Sequence, residues 1–423
     1  MKILITGANG FIAREIIATL KEADHDIVAC VRTSTSLFQD TDITVIKKDF
    51  EEDLSVEDWM PVLKGVNVVI NCVGLFQAPE SVMWKVHKEG SGVLFDACVK
   101  QSIRKIIQIS ALGVDKYRNI YSDSKLAAEQ YLNSLSIGST ILRPSFVYGS
   151  TSYGGSSFFR ALASLPFFIF LPGKGEARLQ PVYIHDLARM VLNLLDLPGK
   201  TTFSAVGSEQ VTIKTLLNRF RAWLGFKPGI AIPTSKKWIA LAGKLGDYFK
   251  NAPICTTAVQ MIEEDNVATE EEWLALQKAI SFVPKGFSKQ LAYMPSGVQD
   301  RWQARLYFLR PLLRISIGFI WIFTGIISLT APSGMLTPLL QDAGIGSGWL
   351  YAGSALDIVL GLMTWLNYRL TLVGSVQCIL MIVYMLIISM TMPIWWLHPF
   401  APVAKNIPLL AATFVMMALE SSR

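Results

Sequence analysis

The chain has few charged residues for its length. Of its 423 residues, 17% are Asp, Glu, Lys or Arg, whereas a soluble globular chain usually carries about 25%. Hydrophobic residues make up 51%, which excludes a disordered chain. The shortage of charge is concentrated in residues 301–423, which hold seven Lys or Arg and three Asp or Glu, and residues 370–404 hold none. The composition therefore predicts a soluble part followed by a membrane part.

Three other absences narrow the classes of function. The five cysteines are scattered without a CxxC pair or zinc spacing, which is typical of buried cysteines in a reducing compartment. The four histidines are scattered too, so we predict no metal site. Long runs of Lys or Arg are missing, which argues against a nucleic-acid partner. Because the first residues already look like strand and turn, without a signal peptide, we expect the first domain to stay in the cytosol.

Residues 1–150 alternate short apolar runs with longer amphipathic stretches. Most of the runs are continuous, as expected for strands buried on both faces of a parallel sheet. This βαβ series predicts an α/β fold with a doubly wound parallel sheet. Residues 151–295 are predicted to form a smaller lobe on the substrate side. Within that lobe, Leu162–Leu171 is apolar but too short to span a bilayer, so it is either a buried segment or a patch that dips into a membrane surface.

The C-terminal part, residues 301–423, is predicted to be an all-α membrane domain. Crossing a bilayer takes about 20 apolar residues, and four stretches approach or reach that length: 310–329, 348–366, 370–391 and 404–420. Arginines lead into the first stretch and Arg369 lies between the second and third, so the positive-inside rule places both termini in the cytosol. We therefore expect an integral membrane protein, in the cytoplasmic membrane if the source is bacterial.

Asp357 lies within the second of these stretches. An ionised carboxylate at that depth costs about 3 kcal/mol on insertion scales. Two interpretations stay open: Asp357 contacts a quinone-like headgroup or another buried partner, or it holds neighbouring helices together.

A glycine-containing segment, Thr6–Ala13 (TGANGFIA), follows a predicted strand and opens a helix. Gly7 permits the tight turn, and Gly10 lets a pyrophosphate approach the backbone at the helix N-terminus. The segment therefore predicts a dinucleotide cofactor. After the second strand, where a site that prefers NAD places an acid, the chain has Arg32. Arg32 could pair with a 2′-phosphate, so NADP(H) is favoured and NAD(H) is the alternative. The other interpretation is that Arg32 is a solvated loop residue without a role in cofactor binding.

Tyr121 and Lys125 lie four residues apart on a predicted helix and so share one face. A lysine in that position can lower the pKa of the phenol and hold a nicotinamide ribose, which makes Tyr121 a general acid or base. Ser110 ends the preceding strand and could hydrogen-bond a substrate carbonyl. We predict these three residues as catalytic. His87 has polar sequence neighbours and is expected to be exposed.

The motifs occur in a characteristic order: TGANGFIA, Asp49, Asn71–Gly74, Ser110, YSDSK and LRPSFVYG. In this order they resemble the extended and atypical short-chain dehydrogenase/reductases, which have a Rossmann domain and a smaller substrate lobe. Glu264–Val267 further resembles the atypical branch that includes the nucleotide-binding accessory subunit of respiratory complex I. The resemblance covers about residues 1–295.

The resemblance implies a set of cofactor contacts. Those for the phosphates are Gly7, Asn9, Gly10, Phe11 and Ile12; those for the adenosine are Arg32, Asp49 and Phe50; those for the nicotinamide and its ribose are Val73, Gly74, Tyr121, Lys125, Pro144 and Val147. Residues 301–423 resemble the DoxX-like membrane domains, through Gly318 and Gly325 in the first apolar stretch and Lys405–Asn406 before the last.

Together these features predict a membrane-anchored, NAD(P)(H)-dependent oxidoreductase that acts on a carbonyl, an alcohol or a quinone. Such an anchor is most useful when the substrate is lipophilic, so we expect a lipophilic small molecule and the lipid bilayer as partners. Two alternatives stay open. One is a non-catalytic, NADPH-binding module that stabilises or regulates a membrane complex, and the other is an NAD(P)-dependent epimerase or dehydratase.

Overall fold

The computed structural model describes residues 1–39, 41–247, 255–332, 337, 340–341, 344 and 346–420. The chain divides into two compact units, Met1–Ala304 and Arg305–Arg423. Each unit has its own hydrophobic core.

Thirteen strands occur among the described residues. They are β1 (Lys2–Thr6), β2 (Asp26–Val31), β3 (Thr44–Lys47), β4 (Val68–Asn71), β5 (Lys105–Ile109), β6 (Gly138–Pro144), β7 (Val147–Tyr148), β8 (Phe168–Pro172), β9 (Arg178–Leu179), β10 (Val182–Tyr183), β11 (Lys200–Ala205), β12 (Val211–Thr212) and β13 (Ile230–Thr234).

The helices of the first unit lie between these strands and after them. They are α1 (Phe11–Glu22), α2 (Val56–Leu63), α3 (Glu80–Trp84), α4 (Ser91–Lys100), α5 (Ile120–Ser134), α6 (Gly155–Ser164), α7 (Ile184–Leu194), α8 (Ile213–Trp223), α9 (Lys236–Gly246), α10 (Thr256–Glu263), α11 (Glu270–Ala279) and α12 (Phe287–Tyr293). A π-helical turn, Lys85–Gly90, joins α3 to α4.

Seven strands form the main sheet, in the order β11-β6-β5-β4-β1-β2-β3. Every neighbouring pair in it is parallel. Successive residues of β1 face opposite layers: Ile3 and Ile5 join a core that includes α1 and α7, whereas Leu4 joins a core that includes α4. The doubly wound parallel sheet is confirmed, and its continuous apolar strands are explained by helices on both faces.

The Leu162–Leu171 segment is only partly the buried segment that was predicted, and its contact with a membrane surface stays a prediction. Its C-terminal half forms β8, which pairs with β13. Ile169 and Leu171 are buried, whereas Phe168 and Phe170 are exposed. One face of β8 therefore belongs to the core and the other is uncovered, because side chains alternate between the faces of a strand.

The second unit is helical. Its helices are α13 (Val298–Thr330), whose first residues belong to the first unit, α14 (Ser347–Trp365), α15 (Leu370–Thr391) and α16 (Asn406–Leu419). By length and hydropathy, α13 and α15 could each cross a membrane, while α16 is apolar but shorter. The crossing of a bilayer by four helices remains a prediction.

Two features hold the helices of this unit together. A Cβ atom at Gly361 would lie 2.8 Å from the carbonyl oxygen of Gly318, so two glycines let α13 and α14 approach closely. Asp357 accepts a hydrogen bond from the Tyr384 hydroxyl at 3.3 Å. This contact between α14 and α15 favours the interpretation of Asp357 as a residue that holds helices together.

Gly361→Leu tests the close approach of α13 and α14. The new side chain would meet the backbone of Gly318 and the side chain of Ile322, and overpacking of this kind costs about 1–3 kcal/mol. We expect the full chain in detergent to unfold at a lower denaturant concentration. Gly348→Leu is the matched control, because it lies in the same helix with no atom within 4 Å. Equal effects of the two substitutions would contradict the packing described.

Candidate functional site

The turn between β1 and α1 has the geometry that a phosphate-binding loop needs. Gly7 has a φ of +65°, and a Cβ atom there would lie 3.3 Å from the carbonyl group of Cys72. The Gly10 N–H donates to the carbonyl oxygen of Gly7 at 2.8 Å. Since Gly10 has no side chain, no side-chain cap occupies the N–H groups that begin α1. Asn9 and Gly10 are exposed, so these groups can receive an anion.

A buried amide, Asn71, holds the loop after β4 beside this turn. Its Oδ1 accepts hydrogen bonds from the Thr6 hydroxyl at 2.6 Å and from the Val73 N–H at 3.2 Å. Its Nδ2 donates to Gln108 at 2.8 Å and to Ser91 at 3.1 Å. Asn71 therefore joins the carboxyl ends of β1, β4 and β5, where ligands bind in open parallel sheets.

The residues predicted for the adenosine lie after β2 and β3. Arg32 is largely exposed and lies 3.8 Å from Glu51. Asp49 accepts a hydrogen bond from the Glu51 N–H at 2.9 Å. The Phe50 ring is buried against Trp59, with 5.3 Å between ring centroids. Phe50 can therefore offer its backbone to an adenine, whereas its ring belongs to the core.

Tyr121 and Lys125 lie near the start of α5, which Asn119 caps by accepting the N–H of Ser122 at 2.9 Å. The ammonium of Lys125 donates to the carbonyl oxygen of Ile109 at 3.3 Å and lies 5.9 Å from the centre of the Tyr121 ring. A Cβ atom at Gly74 would be 3.1 Å from the same nitrogen. The fold thus brings together the predicted catalytic helix, the end of β5 and the loop after β4.

The pKa values of Tyr121 and Lys125 are both shifted by burial. Burial raises the pKa of Tyr121, and it lowers the pKa of Lys125 to about 8. The rings of Phe76 and His87 lie edge-on to the Tyr121 ring, at 5.2 and 5.8 Å. The pKa of the phenol is therefore raised by burial rather than lowered by Lys125 as expected.

Ser110, Pro144 and Val147 come from neighbouring strand ends. The Ser110 N–H donates to Leu142 in β6 at 2.7 Å, while its hydroxyl is buried and has no hydrogen-bond partner among the described residues. Because buried hydroxyls are normally paired, this hydroxyl is a donor that a bound group could satisfy. Pro144 ends β6, and Val147 pairs with Val182 of β10.

His87 was expected to be exposed, and that expectation is wrong. Only 2% of its surface is accessible. Its Nε2 accepts the Leu75 N–H at 2.9 Å, so its proton lies on Nδ1, which donates to the Ser124 hydroxyl at 2.8 Å. Burial, together with the charge of Lys125, lowers the pKa of His87 to about 3. The neutral ring therefore ties the loop after β4 to α5.

A helical spacing could have indicated this position. His87 follows Met83 by four residues and precedes Leu94 by seven, and both of those side chains are buried. Residues at such intervals share one face of a helix. The polar neighbours of His87 in sequence lie on the other face and were a misleading guide.

Two family models match separate parts of the chain. Residues 7–156 match the NAD(P)H-binding family, and residues 318–414 match the DoxX-like family. The first match includes the turn at Gly7, the loop at Gly74 and helix α5 with Tyr121 and Lys125. The second includes the contact between Gly318 and Gly361. These matches confirm the two resemblances, and with the apolar helices they indicate membrane association.

Two known proteins show what the first unit is similar to. NADH dehydrogenase (ubiquinone) 1 alpha subcomplex subunit 9 of Dictyostelium discoideum is 22% identical over 220 residues, which are 49% of this chain and 60% of that protein. Spore coat polysaccharide biosynthesis protein SpsK of Bacillus subtilis (strain 168) is 25% identical over 219 residues, 47% of this chain and 70% of that protein. The chain thus spans less than two thirds of the first relative.

The fold has solved counterparts as well. UDP-glucuronic acid 4-epimerase from Bacillus cereus, in complex with UDP-glucuronic acid and NAD, superposes with a TM-score of 0.53 and 19% identity, covering 73% of this chain and 100% of that one. At this identity the likeness concerns the fold alone. The chain therefore joins an N-terminal NAD(P)H-binding domain of Rossmann fold to a C-terminal DoxX-like domain.

Proposed function

We propose that this protein is a membrane-anchored, NAD(P)(H)-dependent oxidoreductase that interconverts a carbonyl and an alcohol, or reduces a quinone, on a lipophilic substrate. The observation that carries the proposal is the placement of Tyr121 and Lys125 at the edge of the sheet where the phosphate loop also lies. The unpartnered hydroxyl of Ser110 at the end of β5 adds a hydrogen-bond donor for the substrate oxygen.

Each residue has a separate role. When bound, the nicotinamide supplies or accepts a hydride. The raised pKa of Tyr121 keeps its phenol protonated at neutral pH, which is the form that gives a proton to a substrate carbonyl. Ser110 orients that carbonyl, and the ammonium of Lys125 holds the ribose. Because Lys125 has a pKa of about 8, we expect this ammonium to lose its proton as the pH rises above that value.

NADP(H) is the proposed cofactor. Arg32 follows β2, and its guanidinium is largely exposed, with Glu51 3.8 Å away. A guanidinium with exposed donors can bind a 2′-phosphate through two parallel hydrogen bonds. Glu51 would instead accept from the ribose hydroxyls of NAD(H), so the balance between these two side chains sets the preference.

A second candidate is a non-catalytic, NADPH-binding module of a membrane complex. Two observations favour it: the similarity to a complex I subunit and the raised pKa of Tyr121, which weakens its phenol as an acid. A third candidate, an epimerase or dehydratase, is supported by the SpsK relative and by the fold. The exposed Phe168 and Phe170 of the substrate lobe argue against a sugar nucleotide.

For the membrane unit we propose four spans with both termini in the cytosol. Arg310, at the start of the first apolar stretch, pairs with Glu420, at the end of the last, at 2.6 Å. Arg314 lies 3.5 Å from the same carboxylate. Since the start of the first apolar stretch meets the end of the last, these contacts support an even number of crossings.

The cofactor assignment is tested by thermal unfolding. NADPH at about 100 times its Kd should stabilise the folded chain by about 2.7 kcal/mol, because it binds the folded state alone. Gly7→Ala should remove most of this shift, because the methyl group closes the turn. Gly65→Ala is the control, since Gly65 has a φ of +74° and no atom within 4 Å.

In the Arg32→Glu variant, NADH rather than NADPH should raise the melting temperature. The new carboxylate repels a 2′-phosphate and accepts hydrogen bonds from ribose hydroxyls. A parent protein whose melting temperature moves with neither nucleotide would contradict the cofactor assignment.

Catalysis is tested by Tyr121→Phe. Removing a general acid or base costs about 100-fold or more in kcat, whereas NADPH affinity should be nearly unchanged. NADPH oxidation is followed by absorbance in the presence of extracted membrane lipids or quinones. Tyr131→Phe is the matched control, because Tyr131 lies on the same helix and its hydroxyl bonds only to Asp96. Lys125→Met should weaken both turnover and NADPH binding.

The same variants separate the first two candidates. The non-catalytic module is correct if two results are found together. The parent protein fails to oxidise NADPH with every lipid, carbonyl and quinone tested, and the Tyr121→Phe variant still restores growth of a deletion strain.

Topology is tested with reporter fusions. A reporter that fluoresces only in the cytosol should be bright after Arg423, because the charges hold both ends inside. A phosphatase that is active only outside should be active near Gly344. A dark C-terminal fusion combined with an active phosphatase near Gly344 would mean an odd number of spans.

A further inference from the structure

Helix α9 of the first unit exposes an apolar stripe. Trp238, Leu241 and Leu245 are 69%, 46% and 55% exposed. They lie three and four residues apart and so occupy one face of the helix. On another side of α9, a Cβ atom at Gly243 would lie 3.0 Å from Val259 of α10. The helix therefore packs on α10 through Gly243 and turns its large apolar side chains away from that contact.

The small sheet that precedes α9 in sequence also has an uncovered apolar face. Phe168 and Phe170 of β8 are 40% and 44% exposed, and Ile230 of β13 is 65% exposed. Phe167, just before β8, is 75% exposed. Soluble monomers rarely expose several large apolar residues in adjoining elements unless these bind something.

The charged side chains of the segment that contains β13 and α9 have one sign. Residues 210–246 contain seven Lys or Arg and no Asp or Glu. Lys236, Lys237 and Lys244 of α9 are exposed, as is Lys227 before β13. At 100° per residue, Lys237 and Lys244 lie on one flank of the apolar stripe of α9. Such a combination, with Trp and Leu on one face and Lys beside it, is typical of helices that lie in the surface of an anionic membrane.

We propose that α9 and the uncovered faces of β8 and β13, here called the aromatic–lysine surface, dock on an anionic lipid bilayer. The lysines would pair with lipid phosphates, while Trp238 and the phenylalanines enter the interfacial region. A bilayer is favoured over a protein partner because the DoxX-like domain already keeps the chain at a membrane, and because the positive charge complements anionic headgroups.

The surface lies close to the catalytic helix. The side chain of Gln77 donates to the carbonyl oxygen of Gly246, the last residue of α9, at 3.3 Å, and the neighbouring Phe76 contacts the ring of Tyr121. Asn119, which caps the catalytic helix, donates to Gln260 of α10 at 3.1 Å. Docking would therefore hold Tyr121 near the bilayer surface, and a lipophilic substrate could reach it from there. This last consequence rests on the proposed function.

The test places the full chain in nanodiscs that contain phosphatidylcholine with or without phosphatidylglycerol. Leu241→Cys carries an environment-sensitive fluorophore, and lipids with a nitroxide near the headgroup quench it on contact. Leu274→Cys of α11 is the matched control, because Leu274 is exposed to the same extent, 47%. Labelling of the parent chain gives the background from the native cysteines. NADPH-induced thermal stabilisation checks that each variant is folded.

We expect several-fold stronger quenching at position 241 than at position 274 when phosphatidylglycerol is present. The triple variant Lys236→Gln, Lys237→Gln, Lys244→Gln should lose most of this difference. Equal quenching at the two positions would overturn the proposal, and so would quenching at position 241 that is the same with and without phosphatidylglycerol. Self-quenching between two labels at position 241 would assign the surface to a second copy and would overturn it as well. Because the quenching measurement needs no catalytic turnover, it can succeed or fail independently of the proposed function.

Discussion

A single buried amide connects the parts of the candidate site. Asn71 has no accessible surface, and its hydrogen bonds reach the end of β1, the backbone after β4 and a side chain of β5. In a low-dielectric interior each of these bonds is strong, and an unpaired amide there would be costly. The network therefore specifies how far apart the turn at Gly7 and the loop after β4 lie.

His87 connects the loop after β4 to helix α5, which carries Tyr121 and Lys125. Its two ring nitrogens bond to the Leu75 backbone and to Ser124, so the loop after β4 cannot move independently of α5. The neutral His87 ring and the Phe76 ring also lie edge-on to the ring of Tyr121, which is partly buried. The raised pKa of Tyr121 keeps its phenol protonated at neutral pH, while the hydrogen bonds of His87 hold the loop after β4 beside it.

Both units expose apolar side chains, for different reasons. In the second unit the helices pack through small residues such as Gly318 and Gly361, and large side chains such as Leu372 and Ile379 point outward, as expected where lipid is the solvent. In the first unit the aromatic–lysine surface is one area where large apolar side chains are exposed. An oxidoreductase whose soluble domain also touched the bilayer would receive a lipophilic substrate without a passage through water.

The sequence alone determined the doubly wound sheet, the turn at Gly7 and the pairing of Tyr121 with Lys125 on one helix, because hydrophobic period, glycine geometry and helical spacing are local properties. It also determined the two-part organisation, because charge is sparse in residues 301–423. Only the tertiary structure decided that His87 is buried, that the ring of Phe50 belongs to the core, and that burial raises the pKa of Tyr121. These depend on which side chains from distant segments surround a group, and desolvation by such neighbours has no signature in local sequence.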